Sequence, residues 1–259
     1  MKTKAAVLCG LTFLLTTGAL RADVLFYGGT FPSGQFGVLD ATTGVFTLTS
    51  SGNPNVAGLG WVGGVLYGAD YETAGQLYSI NPATGSFTPV GSPSGLLYYD
   101  FGATTTGLFA LLYPTLDLYS IDPATGAATL VGSTGIPIGG ASQLSNNSNT
   151  LYAENNGILY TINTSTGLAS QIGLTGQYDA LAASGGVLYG AASAAGTIDT
   201  IDPATGNVTV GPSITGAGAT ETFFGIAPTS PVPEPASIFL LAAAVVAIPF
   251  LKRLRAKQG

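Results

Sequence analysis

The middle of the chain consists of short hydrophobic runs separated by turns rich in Gly, Pro, Asn and Asp. One stretch shows the pattern clearly, with runs at Val56–Trp61, Val65–Ala69, Gln76–Ile80 and Ser86–Val90. Runs of four to six residues that contain many Val, Ile, Tyr and Phe and are bounded by turn residues indicate β-strands. The stretch therefore predicts four consecutive strands joined by tight turns.

A short turn motif occurs five times along the chain and marks five copies of this four-strand unit. It starts with Asp or Asn and ends with Gly, at Asp40–Gly44, Asn81–Gly85, Asp122–Gly126, Asn163–Gly167 and Asp202–Gly206. The steps between the first residues are 41, 41, 41 and 39. A period near 40 residues with four strands per repeat is typical of a β-propeller blade. Asp or Asn caps such a turn and Gly takes its left-handed position, so these ten residues are predicted to be structural.

The two ends of the repeat array complement each other. The first copy starts at Val24 and supplies only the second, third and fourth runs, whereas Thr222–Ala227 matches a lone first run. The last run is therefore expected to complete the first blade and to close the ring without a free strand edge. First runs are rich in small residues, such as Ala57 and Gly58, which suits a crowded innermost strand. We predict an all-β, five-bladed β-propeller over residues 23–227; an open array and a β-sandwich are the alternatives.

The distribution of charge excludes several classes of function. The chain has no His, one Cys (Cys9) and 8% charged residues. All thirteen acidic residues lie between Asp23 and Glu234, and no Lys or Arg lies between Ala22 and Leu251. A body without basic side chains cannot neutralise phosphates, so nucleic-acid binding is excluded. Without His, a His-dependent catalytic triad is excluded, and neither a metal site nor a cofactor is expected.

Residues 1–22 are predicted to be a secretory signal peptide. Lys2 and Lys4 form a basic start, an apolar stretch follows, and a small-residue cleavage site lies near Ala22. A membrane anchor is the alternative, but the apolar stretch is short and is interrupted by Thr and Gly.

The C-terminal end has three parts in a characteristic order. A Pro-rich linker, residues 228–235, contains Pro233-Glu234-Pro235 and precedes an apolar stretch at residues 236–251. As a transmembrane helix this stretch would span about 24 Å. The tail, residues 252–259, carries four basic residues that should hold it in the cytoplasm and leave the body outside: Lys252, Arg253, Arg255 and Lys257. The order of motif, helix and basic tail resembles the PEP-CTERM sorting signal of Gram-negative bacteria.

This resemblance implies a destination and a processing enzyme. It implies that an exosortase, a membrane-embedded protease or transpeptidase, recognises Pro233-Glu234-Pro235 and cleaves close to it. It also implies export through the inner membrane of a Gram-negative bacterium that makes exopolysaccharide, followed by release to the cell surface or the extracellular space. The sorting signal does not imply what the propeller does.

Two hypotheses for the propeller remain. The first is a binding or structural module of the extracellular matrix that contacts exopolysaccharide or matrix proteins through hydroxyl, amide and Tyr groups. The alternative is a carboxylate-dependent glycoside hydrolase. Its candidate acids precede or begin predicted innermost strands, where three blades would bring them to one mouth of the channel: Asp100, Asp179 and Glu221. Uniform repeats and the lack of basic partners favour the first hypothesis, with these acids hydrogen-bonded to loop amides and Trp61 packed between blades.

Overall fold

The computed structural model describes residues 24–72, 74–138, 142–145 and 150–229. The predicted signal peptide, the Pro233-Glu234-Pro235 motif, the predicted transmembrane helix and the basic tail lie outside these residues. Within the described part of the chain, no helix is long and apolar enough to span a membrane.

Five antiparallel four-stranded sheets form the blades. Blade 1 contains β1 (Leu25–Phe31), β2 (Phe36–Asp40) and β3 (Phe46–Ser50). Blade 2 contains β4 (Val56–Val62), β5 (Val65–Asp70), β6 (Leu77–Asn81) and β7 (Ser86–Val90). Blade 3 contains β8 (Tyr98–Thr104), β9 (Gly107–Leu112), β10 (Asp117–Ile121) and β11 (Ala128–Ser133).

The remaining strands form two further blades and complete the first. Blade 4 contains β12 (Ser142–Leu144), β13 (Leu151–Asn155), β14 (Ile158–Ile162) and β15 (Ala169–Leu174). Blade 5 contains β16 (Ala180–Ser184), β17 (Val187–Ala192), β18 (Thr197–Ile201) and β19 (Val208–Thr209). The last strand, β20 (Thr222–Pro228), returns to blade 1.

Ring closure follows the complementary ends of the sequence. β20 pairs antiparallel with β1, with Tyr27 opposite Ala227 and Gly28 opposite Ile226. The innermost strands β20, β4, β8, β12 and β16 follow one another around the axis. The prediction of an all-β, five-bladed propeller closed by its C-terminal strand is therefore confirmed.

Small residues allow the innermost strands to approach one another closely. A Cβ atom at Gly225 of β20 would lie 2.7 Å from the Cα atom of Gly58 on β4. A larger residue at Gly225 would have to displace the backbone of the neighbouring blade, and close-packed interiors resist such a shift. The Gly- and Ala-rich first runs of the repeats have this physical cause.

The hydrophobic core is divided into layers between neighbouring blades. Phe36 of blade 1 packs with Leu59, Leu66 and Ile80 of blade 2, and similar clusters fill the other joints of the described ring. The indole Nε1 of Trp61 donates a hydrogen bond to the Pro228 carbonyl oxygen at 2.7 Å. Trp61 is half-buried and packs between blades 2 and 1, as predicted.

Successive strands of a blade run in opposite directions, so each end of the propeller collects a particular set of strand ends and loops. One end, the mouth end, collects the starts of the innermost strands and the ends of the second strands. The other, the turn end, carries the loops between third and fourth strands, where all five turn motifs lie. Asp40 shows their structure: its carboxylate accepts hydrogen bonds from the Thr42 N–H and the Thr43 hydroxyl, both at 2.7 Å. Gly44 has a φ of 78°, and the final Gly of each other turn motif is also left-handed.

Candidate functional site

Asp100 lies on the innermost strand β8 and is 1% exposed. It occupies a bulge, since the register between β8 and β9 shifts between Tyr98 and Asp100. Its carboxylate accepts hydrogen bonds from the Phe101 N–H at 2.6 Å and from the Leu144 N–H. Leu144 belongs to β12, so this side chain connects blade 3 to blade 4. Burial raises the pKa of Asp100 well above its usual range, and the nearby charge of Glu154 acts in the same direction.

Glu154 forms the equivalent connection at the next joint. It lies on β13, is buried, and accepts hydrogen bonds from the Gly157 N–H at 2.6 Å and the Tyr178 N–H at 3.4 Å. Tyr178 lies just before β16, so Glu154 connects blade 4 to blade 5. Burial raises the pKa of Glu154 to about 7 despite these two hydrogen bonds, and the charge of Asp179 adds to the rise.

Asp179 lies immediately before β16 and is half-buried. Its carboxylate accepts a hydrogen bond from the Ser193 N–H at 2.8 Å, and the Ser193 hydroxyl accepts one from the Phe223 N–H of β20 at 3.3 Å. Asp100, Glu154 and Asp179 are successive electrostatic neighbours along blades 3, 4 and 5. We call these three residues the acidic row.

Glu221 is held by blade 1. Its carboxylate accepts hydrogen bonds from the Thr30 hydroxyl at 2.5 Å and the Ser33 hydroxyl at 2.7 Å. Of the three acids nominated from the sequence, Asp100 and Asp179 therefore belong to one row through Glu154, whereas Glu221 is fixed separately. Glu154 was not predicted from the sequence because it does not lie at the start of a first strand. The available signal was an acidic residue inside the hydrophobic run of β13.

Five aromatic rings form a second group at the mouth end, on blades 1 to 3. Phe31 stacks on Phe224 with ring centroids 5.1 Å apart, and Tyr71 meets Phe224 edge-on at 5.7 Å. Tyr99 stacks on Tyr113 at 5.7 Å and has Tyr71 as an electrostatic neighbour. We call Phe31, Phe224, Tyr71, Tyr99 and Tyr113 the aromatic row. It is partly open to solvent, since Tyr71 is 42% and Tyr113 54% exposed.

The aromatic row uses the same place in three successive repeats. Phe31 is the last residue of β1, and Tyr71 and Tyr113 directly follow β5 and β9. The residues that directly follow the second strands of blades 4 and 5 are Asn156 and Ser193. The mouth end therefore has an aromatic side on blades 1 to 3 and a polar side on blades 4 and 5. The available sequence signal for this site was the aromatic residue at the end of three second runs, and no site was predicted from it.

Hydrogen-bonding groups flank the aromatic row. The carboxylate of Glu72, next to Tyr71, is exposed and accepts a hydrogen bond from the Asn55 side-chain amide at 3.0 Å. Glu221 lies beside Phe31 through its bonds to Thr30 and Ser33. The described residues contain no group of three or more potential metal ligands from His, Cys, Asp and Glu. The arrangement offers apolar ring faces bordered by hydrogen-bond acceptors, which suits binding of an uncharged, hydroxyl-rich ligand.

Comparison with known proteins supports the fold. No protein-family model and no curated protein matches the sequence. A chain from the crystal structure of a nidogen/laminin complex matches with a TM-score of 0.54 and 10% identity, covering 79% of this chain and 97% of that chain. The fold is a β-propeller. The extracellular domain of a hybrid two-component system from B. thetaiotaomicron matches with a TM-score of 0.42 and 16% identity, over 72% of this chain and 26% of that chain. BamB from Moraxella catarrhalis matches with a TM-score of 0.35 and 17% identity, over 67% and 61%.

Proposed function

We propose that this chain is an exported protein of the cell surface or extracellular matrix whose propeller is a binding and structural module for exopolysaccharide. An exosortase processes its C-terminus at Pro233-Glu234-Pro235, and the membrane holds the chain through residues 236–251 until then. The proposed destination rests on the signal segment, the sorting motif and the basic tail. Matrix proteins are the other class of partner that the neutral surface chemistry of the propeller would accept.

The main support for this proposal is that the candidate acids are already hydrogen-bonded within the propeller. Asp100, Asp179 and Glu221 each accept hydrogen bonds from backbone N–H groups or hydroxyls of the propeller itself. A glycoside hydrolase needs two carboxyl groups about 5 to 10 Å apart and free to face the scissile bond. Acids that tie strands and blades together are better explained as structural, which supports binding without hydrolysis.

The test measures binding and hydrolysis in one tube. Residues 23–230, which include the complete ring, are mixed with exopolysaccharide purified from the producing cells, and co-sedimentation and release of reducing sugar are followed together. We expect co-sedimentation without release of reducing sugar. A protein that stays in the supernatant and releases no sugar would contradict the proposal.

A carboxylate-dependent glycoside hydrolase stays the second candidate because of Glu154. A carboxyl group whose pKa is about 7 can donate a proton near neutral pH, as a general acid must. Under this alternative, release of reducing sugar is lost in Glu154→Gln and Asp179→Asn and kept in Asp122→Asn, which lies at the turn end and serves as the matched control. Equal release by all three variants would exclude catalysis by the acidic row.

The proposed processing has its own test. In cells that contain an exosortase, mass spectrometry of the mature protein should find a C-terminus near Pro233. A mature chain that extends intact to Gly259 in such cells would contradict the sorting assignment without affecting the proposal for the propeller.

A further inference from the structure

The aromatic row extends over three neighbouring blades as two groups of contacting rings. Its rings are linked pairwise, with centroid separations of 5.1 Å and 5.7 Å within blades 1 and 3 and 5.7 Å between Tyr71 and Phe224. Tyr71 on blade 2 and Tyr99 on blade 3 are electrostatic neighbours, which places the second pair of rings near the first group. A row of five rings that crosses two blade joints is longer than a single sugar unit, so its shape favours a chain-like ligand.

Packing requirements do not account for the exposed members of the row. Large aromatic side chains stabilise proteins mainly by being buried, and those at the blade joints, such as Tyr98 and Phe101, are almost completely buried. Tyr71 and Tyr113 keep about half of their surface in contact with solvent instead. Clustered aromatic rings that remain exposed mark interaction surfaces more often than isolated ones do.

The charge of the propeller restricts the ligand. No Lys or Arg lies between Ala22 and Leu251, and carboxylates flank the row at Glu72 and Glu221. The polar side of the same mouth carries Glu154 and Asp179 of the acidic row. A polyanion would meet only like charge here, because nothing in the propeller sequence can pair with it.

An uncharged chain of sugar rings fits both the exposed aromatic rings and the lack of positive charge. A pyranose has an apolar face of C–H groups that can lie on an aromatic ring, and a rim of hydroxyls that can donate hydrogen bonds to carboxylates. We propose that the aromatic row binds an extended segment of a neutral polysaccharide by stacking its sugar rings, with Glu72 and Glu221 accepting hydrogen bonds from its hydroxyls. This inference rests on the proposed function and names the ligand class and the surface that binds it.

The test uses polysaccharides that differ mainly in charge. Native affinity electrophoresis is run in gels that contain hydroxyethyl cellulose, dextran or galactomannan as neutral probes, and carboxymethyl cellulose as the anionic counterpart of the first. The double variant Tyr71→Ala/Tyr113→Ala removes the two most exposed rings of the row. The double variant Leu130→Ala/Leu168→Ala is the control, since both leucines are exposed to a similar extent and lie away from the mouth end. Thermal unfolding verifies that all variants are folded.

We expect at least one neutral polysaccharide to retard the wild-type protein and the leucine control equally. The dissociation constant of the tyrosine double variant should rise about tenfold or more. Tyr71→Phe/Tyr113→Phe should bind nearly as well as wild type, because it keeps both rings. Carboxymethyl cellulose should retard the wild type less than hydroxyethyl cellulose does.

Three results would overturn the inference. The first is a folded tyrosine double variant that binds as wild type does, and the second is stronger retardation by carboxymethyl cellulose than by any neutral probe. The third is co-sedimentation of the wild type with exopolysaccharide from the producing cells but no retardation by any neutral probe, which leaves the proposed function standing and removes only this assignment. A wild type that binds none of these polysaccharides would contradict both.

Discussion

The two ends of this propeller follow one five-fold repeat but use their polar residues in different ways. At the turn end, every repeat has Asp or Asn at the same position, followed by Thr and a left-handed Gly. At the mouth end, the residue that ends or directly follows the second strand is aromatic on blades 1 to 3 and polar on blades 4 and 5. Regularity at the turn end is explained by the turn alone, whereas the divergence at the mouth end calls for another cause, and a binding surface supplies one.

The carboxyl groups at the two ends also differ in the direction of their pKa shifts. At the turn end, the carboxylates of Asp122 and Asp202 are exposed, and hydrogen bonds from backbone N–H groups and Thr hydroxyls lower their pKa. At the mouth end, burial raises the pKa of Asp100 and Glu154. The turn carboxylates therefore stabilise the fold when charged, whereas the buried ones oppose it when charged.

Loss of the Asp100 side chain should have the largest effect on stability. Asp100→Ala leaves the N–H groups of Phe101 and Leu144 without their acceptor in a buried joint. Each unsatisfied buried N–H costs about 1–3 kcal/mol, so the free energy of unfolding should fall by several kcal/mol. Urea unfolding followed by tyrosine fluorescence measures the change.

The matched control for this variant lies at the turn end. Asp122→Ala also removes two hydrogen bonds, but the exposed donors there can bond to water instead. The shift in urea midpoint should therefore be clearly smaller than for Asp100→Ala. Equal shifts for the two variants would contradict the role of Asp100 as a connection between blades.

Glu154 should make the propeller more stable in mild acid than at neutral pH. Its pKa is about 7 in the folded chain, against an ordinary value of 4.5. Between these values the unfolded chain loses its proton first, so stability falls as pH rises from about 4.5 to 7. The full shift corresponds to about 3 kcal/mol, since one pKa unit is about 1.4 kcal/mol.

Glu154→Gln provides the control for this pH dependence. Glutamine resembles the protonated acid and cannot ionise, so the urea midpoint of the variant should vary less between pH 5 and 7.5 than that of wild type. If the two proteins show the same pH slope, the carboxyl group of Glu154 is not the cause.

The architecture was predictable because it depends on periodic features. The spacing of the turn motif, the four runs per repeat and the missing first run at Val24 together define five blades and a closing strand. The predicted run Ser86–Val90 coincides with β7, and Thr222–Ala227 is one residue shorter than β20. Each of these features arises from local turn chemistry or from strand patterning, which can be recognised along the chain.

The mouth end was only partly predictable because its contacts join residues distant in sequence. Asp100 and Asp179 were found from their positions in the repeat, but Glu154 was missed and Glu221 is held by blade 1. Phe31 and Phe224 stack across 193 positions in the chain, a pairing that no local pattern reveals. Strand pairing between β1 and β20 creates this contact, so the site could be recognised only after the ring was closed.

The smallest effect on stability is expected when a turn-end residue is replaced by the residue found at the same position in other repeats. Asn81 and Asn163 occupy the position of Asp122 in their own repeats, and the Asn81 side-chain oxygen accepts a hydrogen bond from the Ala83 N–H at 3.0 Å. Asp122→Asn should therefore keep the backbone hydrogen bond from Ala124 and leave the urea midpoint at pH 7 almost unchanged.

Acid should reveal a difference between Asp122→Asn and wild type in the way stability depends on pH. The pKa of Asp122 is lowered from its ordinary 3.8, so its stabilisation is present above pH 3.8 and is lost as pH falls through the folded value. Asn does not titrate, and the variant should lose less stability than wild type between pH 5 and pH 2.5. Urea midpoints at these two pH values measure this. A variant that loses as much as wild type would remove the opposition between the two ends, because the turn carboxylate would then stabilise the fold equally well when protonated.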